Sequence, residues 1–129
     1  MKHALQRLIV LLASMAILGC SSIQSKNPED WIGYRDSGEA SFYANMHQGK
    51  KTANGELYKH ELKTAAHKTM PFGSKVKVTN VDNGKSVVVR INDRGPFVRG
   101  RIIDLSKSAF SSIGHTSQGL IDVEIEVIK

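Results

Sequence analysis

Asp93 stands where a strand-like stretch is interrupted, and this position suits acid–base chemistry. The sequence from 87 to 106 reads VVVRINDRGPFVRGRIIDLS. It alternates like strands at both ends, whereas Gly95 and Pro96 force a turn or a bulge in the middle. Such an interruption commonly aims a side chain into a groove, and the apolar neighbours would favour the protonated form of Asp93. Asp93 is therefore a candidate general acid, although it could equally cap the turn or pair with Arg94.

A second carboxylate, Asp104, follows the apolar residues of RIIDLS at 101–106. It could face the same groove and act as a second acid. It could also accept hydrogen bonds from the first amides of a following helix, or pair with Arg101. The residue types alone slightly favour one of these structural roles.

Glu56 and His67 are further candidates, because both stand beside small residues that leave room for a ligand. Glu56 lies in the stretch TANGE and His67 in the stretch TAAH. The other histidines are not spaced as metal ligands, and Cys20 is the only cysteine, so no metal site is predicted. The sequence also contains no glycine-rich phosphate loop and no serine nucleophile elbow.

The elements that must position these residues are predicted to be short strands. A hairpin is expected from 75–81 and 85–91, joined by the turn DNG at 82–84. Three consecutive valines at 87–89 suggest a strand that is buried on both faces. The last stretch, 120–128, alternates strictly and places its apolar residues on one face.

Weaker signals place the remaining elements. We expect a first strand at 38–44, one helical turn at 64–70, a short strand at 101–105, and a helix at 107–113 that Ser106 caps. Many short strands with glycine-rich connections and few helical turns favour a small barrel.

The N-terminus has the features of a bacterial secretion signal. A basic start is followed by an apolar run that is too short to span a bilayer, and the run ends in ILGC at 17–20. The alternative is a short N-terminal helix. ILGC resembles the lipobox, which predicts a lipid on Cys20 and anchoring to a membrane. Without Lys2 and Arg7 of the predicted signal peptide, the formal net charge falls from +6 to +4, and this modest positive charge suits an anionic polymer or surface. A secretion signal makes nucleic acid an unexpected partner.

Several segments, in one order, resemble the rare lipoprotein A family of endolytic and septal lytic transglycosylases. They read GEASFYA, GKKTANGELY, LKTAAHKTMPFGSKVKVTNVDNGKSVVVRINDRGPF, GRIIDLSKSAF and DVEIEVI, and the resemblance covers 38–129. It implies a mainly β fold, a small six-stranded double-psi β-barrel with one or two short helices. The expected domains are a lipoprotein signal peptide at 1–19, a lipid-anchored flexible linker at 20–36 and the barrel at 37–129.

The resemblance implies cleavage of peptidoglycan between N-acetylmuramic acid and N-acetylglucosamine, with 1,6-anhydro ends and no cofactor. A single acid suffices when the C6 hydroxyl of the substrate is the nucleophile, whereas a hydrolase uses two carboxylates. By position, Asp93 is the acid, and Glu56 and His67 are its groove partners. Asp104 competes with Asp93 for the role, because related expansin-type barrels use a comparable aspartate.

The resemblance also suggests substrate contacts and partners. The expected substrate-binding residues are Tyr43, Asn54, Asn92, Arg94 and Phe97. The expected location is the cell envelope, with a lipid on Cys20 in the outer membrane and the domain facing the periplasm. Glycan strands are the expected partner, and envelope or division proteins are further candidates. The alternative function is a non-catalytic, expansin-like binder that organises the wall.

Overall fold

The structure, a computed structural model, describes residues 27–129 as a mainly β domain. The six strands are β1 (Arg35–Phe42), β2 (Thr64–Ala66), β3 (Lys75–Asn80), β4 (Ser86–Asp93), β5 (Arg101–Leu105) and β6 (Ile121–Val127). One α-helix, α1 (Lys107–Ile113), lies between β5 and β6. Short 3-10 turns occupy Pro28–Trp31, Asn45–His47 and Thr116–Gln118. No helix in this part of the chain is long and apolar enough to cross a membrane.

The strands close into a barrel in the order β1, β5, β2, β4, β3, β6. The pairs β1–β5 and β2–β4 are parallel, and the other four pairs are antiparallel. Closure leaves no strand edge unpaired, so each backbone ladder is satisfied within the domain. The expected six-stranded double-psi barrel with one or two short helices is confirmed.

The core follows from the alternation that the sequence shows. Every second residue of β6 is buried, and β3 alternates in the same way. Phe110 and Ile113 of α1 are fully buried and complete the same core. The predicted hairpin of β3 and β4, the helix at 107–113 and its N-cap at Ser106 are all observed.

Two local predictions are wrong. The segment 64–70 is not a helical turn: Thr64–Ala66 is a fully buried strand that pairs with β4 on one side and β5 on the other. Ladder hydrogen bonds to two neighbours outweigh the helix preference of the alanines. The valines at 87–89 are not buried on both faces, because Val88 points to solvent and is 43% exposed.

The fold begins earlier than the predicted domain boundary at residue 37. Strand β1 starts at Arg35, Trp31 packs on the core, and the amide of Gly33 donates to the carbonyl of Val127. The last part of the predicted linker, 27–36, therefore belongs to the folded domain. The predicted signal peptide and the predicted lipid on Cys20 lie outside the described residues.

Removing the helix cap should weaken the domain measurably. The buried Ser106 hydroxyl accepts a hydrogen bond from the amide of Ala109 at 3.3 Å. We expect Ser106→Ala to lower the free energy of unfolding by about 1 kcal/mol, as measured by urea titration. Ser112→Ala, an exposed change in the same helix, is the control and should change stability by less than about 0.5 kcal/mol. Equal effects of the two changes would contradict the capping role.

Candidate active site

The strand register brings both candidate aspartates to one row of the barrel. Asp93 of β4 and Asp104 of β5 are each in register with Ala66 of β2, and Asp104 is also in register with Ser41 of β1. Two strand spacings separate the aspartates, so their Cα atoms lie about 10 Å apart. Between them lies Ala66, which is itself buried.

Three hydrogen-bond donors converge on the half-buried carboxylate of Asp93. Oδ1 accepts from the amides of Ala53 at 2.8 Å and Arg94 at 2.9 Å. Oδ2 accepts from the Tyr43 hydroxyl at 2.6 Å. The predicted apolar environment is therefore wrong, because the chain turns polar groups toward Asp93 from three separate segments. The carboxylate is held in one orientation, as an acid–base group must be.

The loop 52–56, which reads TANGE, supplies one of these donors and is fixed to β4 in two further places. The amide of Asn54 donates to the carbonyl of Asn92 at 3.2 Å. The guanidinium of Arg90 donates to both carboxylate oxygens of Glu56, to Oε2 at 2.7 Å. The amide of Ala53 thus reaches Asp93 from a loop that is anchored to β4 through the residues that follow it, Asn54 and Glu56.

Glu56 is part of this anchor and is unsuited to be the acid. Hydrogen bonds from Arg90 and then from Asn54 lower its pKa to about 2, against a small opposing effect of burial. Glu56 therefore stays ionised at neutral pH. The side chain of Asn54 is used within the loop, because its Nδ2 donates to Glu56 and its Oδ1 accepts from Thr52. Both predicted site residues hold the loop in place.

His67 does not reach the carboxylate of Asp93. Its side chain is 6% exposed, and its Nδ1 accepts hydrogen bonds from the amides of Thr69 and Met70 at 3.1 and 3.0 Å. The ring is therefore neutral, with its proton on Nε2. Burial, above all, lowers its pKa to about 4. The hydrogen bond between the two residues is a main-chain one, in which the amide of His67 donates to the carbonyl of Asp93 at 3.2 Å.

Arg94 braces the same turn and does not pair with the Asp93 carboxylate. Its Nη1 donates to the carbonyls of His67 and Met70 at 3.2 and 2.7 Å. Its guanidinium carbon lies 4.0 Å from the centre of the Phe72 ring, and this contact is a cation–π interaction. These contacts show that Arg94 holds the turn from within the protein.

Asp104 is tied to a cation and a hydroxyl. It accepts hydrogen bonds from Arg101 Nη2 at 2.6 Å and from Ser41 Oγ, and the same Nη2 also donates to Ser41 Oγ at 2.7 Å. The pairing with Arg101 was one of the structural alternatives for this residue. Both contacts of the carboxylate are made by Oδ1, so Asp104 links the side chains of Arg101 and Ser41 across two strands.

The remaining predicted contacts differ in accessibility. Phe97 is 79% exposed directly after the turn at Gly95 and Pro96, so its ring is available to a ligand. Asn92 is 2% exposed, and this burial removes it from direct substrate contact. One face of the Tyr43 ring is covered by Tyr58, with ring centroids 4.2 Å apart and planes at 16°.

Three residues of the site were missed by reasoning from sequence: Ser41, Tyr58 and Arg90. Ser41 carried a usable signal, because it precedes Tyr43 by two residues and so shares its side of the chain. Arg90 binds Glu56, which is 34 positions away in the sequence, and Tyr58 stacks on the ring of Tyr43. No local sequence pattern indicates either contact. Within 27–129, no three His, Cys, Asp or Glu side chains are grouped so that they could hold a metal ion.

A family model described as lytic transglycolase matches residues 35–125, from the start of β1 into β6. The chain belongs to the lytic transglycolase family. The endolytic peptidoglycan transglycosylase RlpA of Vibrio cholerae is 56% identical over 103 residues, which are 80% of this chain and 38% of that protein. The endolytic peptidoglycan transglycosylase RlpA of Pseudomonas aeruginosa is 53% identical over 99 residues, which are 77% of this chain and 29% of that protein. The predicted resemblance to the rare lipoprotein A family is confirmed, and the chain spans less than two fifths of these relatives.

Solved structures share the fold at lower sequence identity. The Streptomyces papain inhibitor superposes with a TM-score of 0.62 at 23% identity, over 76% of this chain and 97% of the inhibitor. Apo-Clavibacter michiganensis expansin superposes with a TM-score of 0.59 at 21% identity, over 74% of this chain and 51% of the expansin. At this level of identity these similarities show the barrel alone.

The buried neutral state of His67 should make stability depend on pH. Its pKa is about 4 in the fold and near 6.5 in an unfolded chain, so the unfolded state binds more protons between these values. We expect the free energy of unfolding to fall as the pH drops from 6.5 to 4. In urea titrations, the free energy of unfolding should fall less over this pH range in His67→Gln, because the glutamine side chain takes up no proton on unfolding. The exposed His115→Gln should keep the wild-type dependence, and an identical slope in all three proteins would refute the burial argument.

Proposed function

We propose that this chain is a lytic transglycosylase that cleaves peptidoglycan between N-acetylmuramic acid and N-acetylglucosamine and leaves 1,6-anhydro ends. The observation that carries the proposal is the difference among its candidate carboxylates. Glu56 is hydrogen-bonded to Arg90 and Asp104 to Arg101, whereas Asp93 accepts only from two amides and a hydroxyl. Asp93 is thus the candidate carboxylate that accepts no hydrogen bond from a guanidinium, and its Oδ2 is bound by a single donor. The names of the family and of the curated relatives support the same reaction.

The proposed reaction uses Asp93 as acid and then as base. Protonated Asp93 gives its proton to the glycosidic oxygen as the bond from that oxygen to C1 breaks. The C6 hydroxyl oxygen of the same muramic acid then bonds to C1, and its proton passes to the Asp93 carboxylate. The acid is regenerated in each cycle, and neither water nor a cofactor is consumed.

The amide contacts determine which oxygen of Asp93 takes part. Oδ1 already accepts from Ala53 and Arg94, so a proton on Oδ1 would oppose two N–H donors. Oδ2 is therefore the atom that carries the proton in the acid form. The two amides hold the plane of the carboxylate while Oδ2 faces the glycosidic bond and then the C6 hydroxyl.

A hydrolytic mechanism fits this site less well. Hydrolases that invert or retain configuration need a second carboxylate to activate water or to attack the sugar. Asp104 is the nearest candidate along the strand row, and its Oδ1 is bound by Arg101 and Ser41. The single-acid reaction needs no such group.

Substrate contact is proposed for a smaller set of residues than the sequence suggested. The exposed ring of Phe97 is suited to stack on a sugar face beside the Asp93 turn. Asn54, Asn92 and Arg94 act within the protein, as supports of the loop and the turn.

The setting of the reaction is also a proposal. ILGC at 17–20 supports lipidation of Cys20, and small polar residues after it favour sorting to the outer membrane, with the domain in the periplasm. Glycan strands of peptidoglycan are the proposed partner in that compartment, and envelope or division proteins are further candidates.

Substitution of Asp93 tests the reaction directly. We expect Asp93→Asn to slow the release of 1,6-anhydro ends from purified sacculi by roughly 10²- to 10⁴-fold, the usual contribution of a general acid. Asp104→Asn should retain activity within about tenfold of wild type if it folds, since Asp104 acts structurally. Mass spectrometry of the released fragments is the measurement, and the exposed Asp122→Asn is the control for removing one negative charge.

Three outcomes would change the assignment. Loss of anhydro ends in Asp104→Asn alone would move the acid to Asp104. Release of reducing ends by the wild type would indicate hydrolysis. No product, together with pelleting of the protein with sacculi, would favour the alternative of a non-catalytic, wall-organising binder.

A further inference from the structure

We infer that Tyr43 is the positioning residue of the reaction: its hydroxyl stabilises Asp93 as a carboxylate when the proton leaves for the glycosidic oxygen. The inference rests on the proposed function and assigns a role to a hydrogen bond that the single-acid scheme leaves unused. Tyr43 is one of the residues that the sequence suggests for substrate binding, and the geometry gives it a different role.

The hydrogen bond joins Tyr43 to the oxygen that exchanges the proton. The hydroxyl lies 2.6 Å from Oδ2, while Oδ1 is occupied by the amides of Ala53 and Arg94. A bond from a hydroxyl to an ionised carboxylate is about twice as strong as a bond between neutral groups. The contact therefore strengthens as Asp93 becomes charged, and this is the requirement for accelerating the first proton transfer.

A rigid stack aims the hydroxyl. The ring of Tyr43 lies parallel to the buried ring of Tyr58 and meets the ring of His47 edge-on at 5.6 Å. Tyr58 is fixed in turn, because its hydroxyl accepts from the amide of Lys107 at the start of α1 and lies 2.7 Å from Nδ1 of His60. The position of the Tyr43 hydroxyl is thus set by contact with a buried side chain that is itself hydrogen-bonded.

Tyr43 acts as a donor and not as a second base. Burial, and then the hydrogen bond with Asp93, raises the pKa of the phenol above its ordinary value. The hydroxyl keeps its proton throughout the reaction at physiological pH. In each cycle the transferred proton therefore moves only between Asp93 Oδ2 and the two sugar oxygens.

The test replaces one oxygen atom. Tyr43→Phe keeps the ring and its stacking on Tyr58, and Tyr34→Phe is the matched control at a half-exposed tyrosine of the same chain. With the full chain and purified sacculi, we expect Tyr43→Phe to release anhydro ends roughly tenfold to a hundredfold more slowly, as expected for one hydrogen bond to a charged group. Binding of the protein to sacculi should not change.

The pH dependence separates this role from a structural one. The rate falls at high pH when the acid ionises, and loss of a donor to the carboxylate favours the protonated form. The alkaline limb of the rate profile should therefore move to higher pH in Tyr43→Phe and stay in place in Tyr34→Phe. A slower variant with an unshifted limb, or a variant as fast as the wild type, would overturn the inference.

A measurement without substrate keeps this inference distinct from the proposed function. The carboxyl ¹³C signal of Asp93 in the full chain, labelled at aspartate, can be titrated by NMR in the wild type and in both tyrosine variants. A titration that moves to higher pH only in Tyr43→Phe supports the contact even if the wild type releases no anhydro ends, an outcome that would sink the proposed function alone. Identical titrations in all three proteins would overturn the inference while leaving any observed activity intact.

Discussion

The carboxylate of Asp93 depends on donors from three separate parts of the chain, and the rest of the site is arranged to deliver them. The hydroxyl of Tyr43 comes from the end of β1, the amide of Ala53 from the loop 52–56, and the amide of Arg94 from the turn after β4. None of these segments would hold its donor in place by itself. Barrel closure fixes β1 beside β5, the Glu56 anchor fixes the loop, and the turn is braced through its carbonyls.

The distribution of cations gives the three candidate acids different tasks. Arg90 and Arg101 neutralise Glu56 and Asp104, whereas Arg94 turns away from the neighbouring Asp93 to bind carbonyl groups. A carboxylate paired with a guanidinium is stabilised as an anion and makes a poor proton donor. Glu56 and Asp104 are suited to support, and Asp93, which accepts no hydrogen bond from a guanidinium, is the proposed proton donor. This division is the basis for proposing a single acid although Glu56 and Asp104 belong to the same site.

Much of this fold could be predicted from sequence, because strict alternation, the DNG turn and the cap at Ser106 are local signals. The break after Asp93 likewise pointed to the site through its glycine and proline. The strand Thr64–Ala66 was missed, since three residues carry too little periodicity to outweigh alanine's helix preference. The pairing of Glu56 with Arg90 joins residues 34 positions apart, and no local pattern encodes it. The role of His67 was hidden for a related reason: its acceptor bonds depend on the turn that follows β2.

In the proposed reaction, one acid works with the substrate's own hydroxyl and without water. Digestion of purified sacculi in water enriched in ¹⁸O, followed by mass spectrometry of the new glycan ends, tests this claim most directly. We expect 1,6-anhydro ends that carry no ¹⁸O, because the oxygen that bonds to C1 comes from C6 of the same sugar. New ends that carry ¹⁸O at C1 would show that water is the nucleophile and would contradict the single-acid mechanism.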